Sequence, residues 1–273
     1  MSALWYVLLF FVGASVGSFL NVCITRWPKG ESVIRPRSRC PACQAPIAWY
    51  DNVPVVSWLA LRARCRRCGA PISLLYPVVE ALIGAVWVAS VWAFGPTVAA
   101  IRVAVFFTVL FGIAATDLRA YVIPDGFTLF GLAFVGLASV VGALTGAQYP
   151  FAPPVEALLG ACVGAGAITI IGWLGEVAFR KEAMGFGDAT LMAMAGAALG
   201  PGRALLTILV AAALGAAVFL FGVIPIGWMR ARRRGVAFET PLVPFGVFLA
   251  PAAMLTLLWG YPILSWYLDR LAG

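Results

Sequence analysis

Across 273 residues, 63% are hydrophobic and only 11% are charged, with a mean hydropathy of +0.98. Soluble domains carry roughly 25% charged residues, so a soluble fold is excluded and the composition predicts an all-α, polytopic membrane protein of about eight transmembrane helices. The formal charge of +8 reflects orientation in a membrane and not a nucleic-acid partner, because the basic residues gather in a few loops on one predicted side.

The first apolar run, 3–24, lacks the basic start of a cleaved signal peptide, its polar flank beginning only at Arg26, and is expected as a retained first span. Gly13, Gly17 and Ser18 fall near one face at helical spacing, where small residues permit close helix contact. A polar loop over 25–77 follows, with nine Lys or Arg against Glu31 and Asp51, a bias that predicts a cytoplasmic location.

Within that loop, Cys40-Pro41-Ala42-Cys43 and Cys65-Arg66-Arg67-Cys68 are separated by twenty-one residues. Each pair brings two thiolates within reach of one tetrahedral ion, so the repeat reads as a structural zinc site. Two disulfides or a redox dithiol are the alternatives, the former disfavoured in a reducing compartment. Cys23 and Cys162 lie in apolar segments and read as packing residues. The intervening Trp49-Tyr50-Asp51-Asn52-Val53-Pro54-Val55-Val56-Ser57-Trp58 predicts a packed surface beside the metal or an interface anchor, with a peptide or cofactor contact as the alternative.

Segments two and three are expected over 78–94 and 98–116, joined at Gly95-Pro96-Thr97. Glu80, early in segment two, reads as a group of the cytoplasmic interface, or else as an inward group that helps position substrate. Segment three ends at Asp117, an acid that the dipole of its own helix disfavours. Segment four, 125–144, begins after Pro124 with Asp125 as its expected N-cap, and segment five covers 155–177.

The next loop carries Arg180 and Lys181 and leads into Met184-Gly185-Phe186-Gly187-Asp188. Beyond it the apolar stretch 189–199 is shorter than the roughly 20 residues a span needs. It is nevertheless expected to cross, because a re-entrant path would place Arg230, Arg232, Arg233 and Arg234 outside. Segments seven, 205–228, and eight, 243–268, complete the set with both ends outside. Of the nineteen Lys and Arg, this topology leaves only Arg102, Arg203 and Arg270 away from the cytoplasm. The expected organisation is a first transmembrane helix over 1–24, a cytoplasmic four-Cys zinc-binding domain over 25–77, and a core of about seven helices over 78–273.

With no His in the chain, Ser-His-Asp triads, Cys-His pairs and HExxH sites are excluded. Lys29 and Lys181, the only lysines, are both in loops, which gives a Ser-Lys peptidase little support. Carboxylate chemistry remains, and the topology puts Asp117 and Asp188 on the same side at similar depth. Peptide hydrolysis by two carboxyls needs one ionised, to take a proton from water, and one protonated, to polarise the carbonyl; neighbouring acids favour that shared-proton state. Gly185 and Gly187 remove bulk beside Asp188, so that an extended substrate backbone can approach. Paired acids in membranes also serve proton or ion transport, or stand as a structural polar pair, and the residues alone leave these readings open.

The sequence closely resembles the type 4 prepilin peptidases, the bifunctional leader peptidase and N-methyltransferase enzymes of type IV pilus and type II secretion systems. The blocks that carry the resemblance are Gly17-Ser18-Phe19-Leu20-Asn21-Val22, the two Cys pairs, the stretch from Trp49 to Trp58, and Tyr76-Pro77-Val78-Val79-Glu80. Three more follow: Asp117 through Ile123-Pro124-Asp125, Gly185-Phe186-Gly187-Asp188, and Val243-Pro244-Phe245-Gly246-Val247-Phe248-Leu249. The resemblance implies an aspartic peptidase of the bacterial inner membrane that removes the leader of prepilins and pseudopilins after a glycine, at the cytoplasmic face. It then implies N-methylation of the new terminus with S-adenosylmethionine.

By motif position Asp117 and Asp188 match the catalytic aspartates, Asp125 the acid of a Leu-Pro-Asp element, and Cys40, Cys43, Cys65 and Cys68 the zinc-associated cysteines. Glu31, Asp51 and Glu80 are the candidate partners for the incoming amine or the cofactor. No glycine-rich Rossmann fingerprint is present, and the loop is too small for that fold. Thr190 stands where members usually have Lys, and Leu75 where Arg commonly precedes Tyr-Pro, which bears on peptide preference more than on reaction class.

Overall fold

The computed structural model describes residues 2–180, 184–234, 237 and 243–272; Lys181 lies outside the described residues. The described chain is helical, without a sheet, and falls into two compact units, Met1–Gly112 and Ile113–Gly273. Among the described residues, seven helices are long and apolar enough to cross a membrane, by length and composition, and an eighth apolar helix is shorter.

The first unit holds α1 (Ala3–Arg26), the short α2 (Val56–Ala60), α3 (Leu75–Phe94) and the larger part of α4 (Val98–Ala120), within which the division falls. Helices α1 and α3 pack through the small residues of the first segment. A Cβ added at Gly17 would stand 2.9 Å from Glu80 Cα, and one at Gly13 would stand 2.8 Å from Trp87 Cβ. The packing role expected of these glycines is therefore the observed one, since backbones this close leave no room for a methyl group. The loop 25–77 lies wholly in this unit.

The second unit contains α5 (Asp125–Thr145), α6 (Pro154–Phe179), α7 (Phe186–Leu199), α8 (Pro201–Val218) and α10 (Gly246–Ala272). A short π-helical stretch, Phe219–Val223, continues α8 into α9 (Ile224–Arg234). At its centre is α7, and its length is explained by its surroundings. Fourteen residues span only about 21 Å at 1.5 Å per residue, against a hydrocarbon thickness of about 30 Å. A helix facing lipid at that length would leave polar ends in hydrocarbon, but α7 is enclosed by protein, with ten of its residues buried from Asp188 to Leu199.

Enclosure rests on glycine contacts. A Cβ on Gly160 of α6 would overlap the Gly196 carbonyl oxygen of α7, and one on Gly196 would overlap the Gly160 carbonyl. Gly164, one turn further along α6, meets the Met192 carbonyl in the same way. Gly200 then turns the chain from α7 into α8 at φ 79, a conformation that L side chains rarely adopt. The longer helices instead expose large apolar side chains, among them Leu129, Leu137, Leu158, Trp173, Leu209 and Phe221, the pattern of a surface solvated by hydrocarbon.

Arg203, in the first turn of α8, is buried within this unit. Its Nε donates to Leu199 O at 2.7 Å and its Nη1 to Pro150 O at 2.9 Å, while the guanidinium carbon sits 4.1 Å from the Tyr261 ring centroid. It ties the α5–α6 connection to α8 and α10, which explains a cation inside an apolar bundle.

Candidate functional site

The two cysteine pairs are built as copies of one local structure. In the first, Cys40 N–H donates to Ala45 O at 2.9 Å, Gln44 N–H to Cys40 O at 2.9 Å, and Ile47 N–H to Ser38 O at 2.9 Å. In the second, Cys65 N–H donates to Ala70 O at 2.8 Å, Gly69 N–H to Cys65 O at 2.9 Å, and Ile72 N–H to Ala63 O at 2.7 Å. Each closes with an antiparallel bridge, Arg39 with Pro46 and Arg64 with Pro71. Each also turns on a left-handed residue directly after its second cysteine, Gln44 at φ 57 and Gly69 at φ 70. The signal was available in the sequence as Arg-Cys-x-x-Cys-x-Ala-Pro-Ile, present at 39–47 and again at 64–72.

All four Sγ atoms lie within 4.8 Å of one another, and Cys40 Sγ is 3.8 Å from Cys68 Sγ. A zinc ion with bonds of about 2.3 Å sets tetrahedral sulfur–sulfur edges of about 3.8 Å, so the donor set fits that ion. The cysteines are free thiols, not disulfides. The Cys68 and Arg67 N–H groups point at Cys65 Sγ and hold its thiol down to about 6. At Cys68 the Ala70 N–H acts downward, yet burial and the neighbouring thiols push it up to about 11. Sulfurs crowded in this way lose their protons together most readily to a cation.

The stretch between the pairs separates into inward and outward residues. Trp58 Nε1 donates to Ile72 O at 3.1 Å, joining the stretch to the second cysteine turn, whereas Trp49 is 77% exposed. Arg66 grips Asp51 with Nε and Nη2, the shortest contact being 2.6 Å. Val55 sits in a γ-turn of the rare positive-φ kind, at φ 62, closed by Val56 N–H to Pro54 O at 2.6 Å. A β-branched residue there costs about 1–3 kcal/mol. Its N–H is bonded at 2.7 Å to Glu80 Oε2, so the buried Glu80 holds this turn on the start of α3. Glu31 is exposed.

The second constellation forms inside the unit from Ile113 onward. Asp117 lies in the last turn of α4, which runs one turn further than expected, to Ala120. It is buried, and its misfit with its own helix dipole is relieved by another helix. The backbone N–H groups of Gly246 and Val247, the first two residues of α10, are directed at its carboxylate. Such amides lack partners within their own helix and carry its positive end.

Asp188 is the third residue of α7, following Gly185 as N-cap, and its carboxylate reaches back to the Gly185 N–H. That is one half of a capping box. The Asp188 carboxylate also lies close enough to Asp117 to interact with it electrostatically. Both acids are at least nine-tenths buried, at 6% and 9% exposure.

Gly187 touches Ile123: a Cβ there would stand 2.9 Å from Ile123 Cβ. Among the described residues, Gly185 has open space around it, the nearest atom to an added Cβ being Asp188 Oδ2 at 3.9 Å. Asp125 differs from expectation. Pro124 occupies the N-cap of α5 in extended conformation, and Asp125 is the first helical residue, exposed and without a side-chain cap bond. Its charge still suits the helix start. Gly246, which lies against Asp117, was not singled out in the sequence, where it stood only as one member of an apolar block.

Residues 11–94 match the model of the bacterial peptidase A24 N-terminal domain, and residues 104–220 match that of the type IV leader peptidase family. A prepilin leader peptidase/N-methyltransferase of Myxococcus xanthus is 44% identical over 197 residues, which cover 72% of this chain and 56% of that relative. Proteins of the same name from Xanthomonas campestris pv. campestris and Aeromonas hydrophila are 36% and 34% identical. Those alignments cover 96% and 98% of this chain, and 93% and 95% of the relatives. No solved structure matches the chain. The chain belongs to the type IV leader peptidase family, which leaves the transporter reading without support.

Proposed function

We propose that Asp117 and Asp188 are the catalytic pair with which this enzyme removes the leader peptide from type IV prepilins and type II secretion pseudopilins. The activity is that of its family, prepilin leader cleavage with N-methylation of the product. The observation that carries the assignment is two buried carboxyls within electrostatic reach of each other, at the end of one helix and the start of another.

One carboxyl takes a proton from water, and that oxygen attacks the carbonyl carbon of the glycine before the cut. The other carboxyl protonates the carbonyl oxygen, and collapse of the tetrahedral species returns a proton to the leaving amine. The substrate's apolar stem enters between helices, and its backbone unwinds at the cut. Open space at Gly185 suits an extended strand, while Gly187 serves packing against Ile123. Asp125 supports the site through the connection that carries Ile123.

The four cysteines hold a structural zinc, whose role is to join the two turns of the loop. S-adenosylmethionine is the methyl donor proposed on family grounds. Glu31, Asp51 and Glu80 were its candidate contacts, but Asp51 already holds Arg66 and Glu80 holds Val55. The basic loops support a multi-pass orientation in the inner membrane, with the cysteine loop and the acids toward the cytoplasm, and α7 as a short eighth crossing.

Mass spectrometry of a prepilin incubated with purified protein and S-adenosylmethionine reads cut position and methyl addition together. Cleavage directly after glycine with a 14-Da increment on the new terminus, about one methylene, is expected. Asp188→Asn should remain folded and leave the prepilin whole; cleavage by that variant at the wild-type rate would remove the assignment.

A further inference from the structure

Resting on the reading of Asp117 as a catalytic acid, we propose that Gly246 is a positioning residue for it, and that Ile123 is the spacer between the two glycine-lined helix starts beside the acids. A Cβ added at Gly246 would stand 2.7 Å from Asp117 Oδ2, 3.2 Å from its Cγ and 2.9 Å from Ile123 Cδ1. Side chains do not tolerate approaches below about 3 Å, so any residue but glycine displaces the carboxylate, the isoleucine or the start of α10.

Asp117 Oδ2 is sealed from solvent without a direct hydrogen-bond partner among the described residues. On that side Gly246 packs directly against the carboxylate and has no Cβ to push it aside. The amides of Gly246 and Val247 face the carboxylate, so the residue that limits its approach also helps aim the positive end of α10 at it. Ile123 touches both sides of this arrangement, since a Cβ at Gly187 would meet its Cβ at 2.9 Å and its Cδ1 at 3.5 Å. One aliphatic side chain thus lies between Gly187, next to Asp188, and Gly246, against Asp117. The second glycine of the Gly-Phe-Gly-Asp stretch accommodates that spacer.

The test is steady-state cleavage of a prepilin by the purified full chain, comparing wild type, Gly246→Ala, the double variant Ile123→Val with Gly246→Ala, and Asp117→Asn. A carboxyl displaced by about 1 Å loses on the order of 100-fold in rate. Gly246→Ala is therefore expected to lower kcat by about 100-fold with KM within about twofold of wild type and an unchanged unfolding temperature. Removing Ile123 Cδ1 gives the new methyl group room to move off Asp117, and the double variant should regain about tenfold.

Wild-type kcat in Gly246→Ala overturns the positioning role. A raised KM, or a lowered unfolding temperature, with no recovery in the double variant makes Gly246 a packing residue and overturns it equally. Asp117→Asn separates the two layers. If it cleaves normally, the catalytic reading itself falls; if it is inactive while Gly246→Ala cleaves at the wild-type rate, only the positioning role falls.

Discussion

The four cysteines come from two copies of a nine-residue pattern, each closed by its own backbone hydrogen bonds, whereas Asp117 and Asp188 come from helices separated by two complete spans. In the cysteine loop, geometry is decided locally: the left-handed turns at Gln44 and Gly69 and the hydrogen bonds within each nine-residue copy aim the thiols. In the helical unit, neither acid has a local reason to face the other. Their meeting depends on how closely α6, α7 and α10 approach, and that distance is set by glycines, some remote from both acids, as Gly160 and Gly196, and some beside them, as Gly187 and Gly246. The first site is specified by what residues are present, the second largely by side chains that are missing.

The strongest way to break this contrast is to fill one of those gaps. Gly160→Val should be the most damaging substitution outside the acids, because its side chain meets the Gly196 carbonyl and the Gly200 backbone, which cannot yield as a side chain would. Overpacking of this kind costs up to about 3 kcal/mol, and more where backbone must move. Loss of monodisperse protein, or a lowered unfolding temperature with loss of cleavage, is expected. Gly166→Ala on the same helix adds a methyl group where nothing lies within 4 Å and should leave both measurements near wild type. Equal tolerance of the two would show that α6 and α7 are not held this closely.

Metal removal probes the other side. About one zinc per chain is expected from four thiolates, lost together with local order when Cys40 and Cys68 are replaced by Ser. Hydrogen exchange at the Gln44, Gly69 and Ile72 amides should accelerate by on the order of 10-fold or more, while α5 to α8 remain protected. A metal-free wild-type protein whose cysteine turns stay protected would remove the zinc reading.

The same contrast explains what could be read from the sequence. Helix existence was legible throughout, because long apolar runs have few alternatives in a membrane. The cysteine site was legible because its spacing is its geometry. The acids were legible as residue types in costly surroundings, but not their reasons for tolerance: the α10 amides that face Asp117 lie far downstream, and Gly246 carries no side chain to mark them. Asp125 was misplaced as a cap because Asp is usually the better cap, whereas Pro124 takes that position with a backbone already extended. An inward Glu80 was one of two open readings, but its partner was hidden for a related reason, being a backbone N–H exposed by an unusual turn at Val55.

Asp51 should give the smallest effect and the sharpest distinction within the loop. The hydrogen bonds from Arg66 hold its carboxyl below the usual carboxylate range, with burial acting weakly the other way. The pair therefore contributes fully above the ordinary carboxylate pKa of about 4, and its contribution is lost as pH falls through the lowered value. Between about pH 5 and 8 it adds no pH dependence. Exposed pairs contribute little, so Asp51→Asn should keep its zinc and should cleave and methylate within about twofold of wild type at neutral pH. If methylation alone collapsed while leader cleavage and zinc content held, the carboxylate would have a direct part in methyl transfer, and the bidentate contact with Arg66 would be only its resting arrangement.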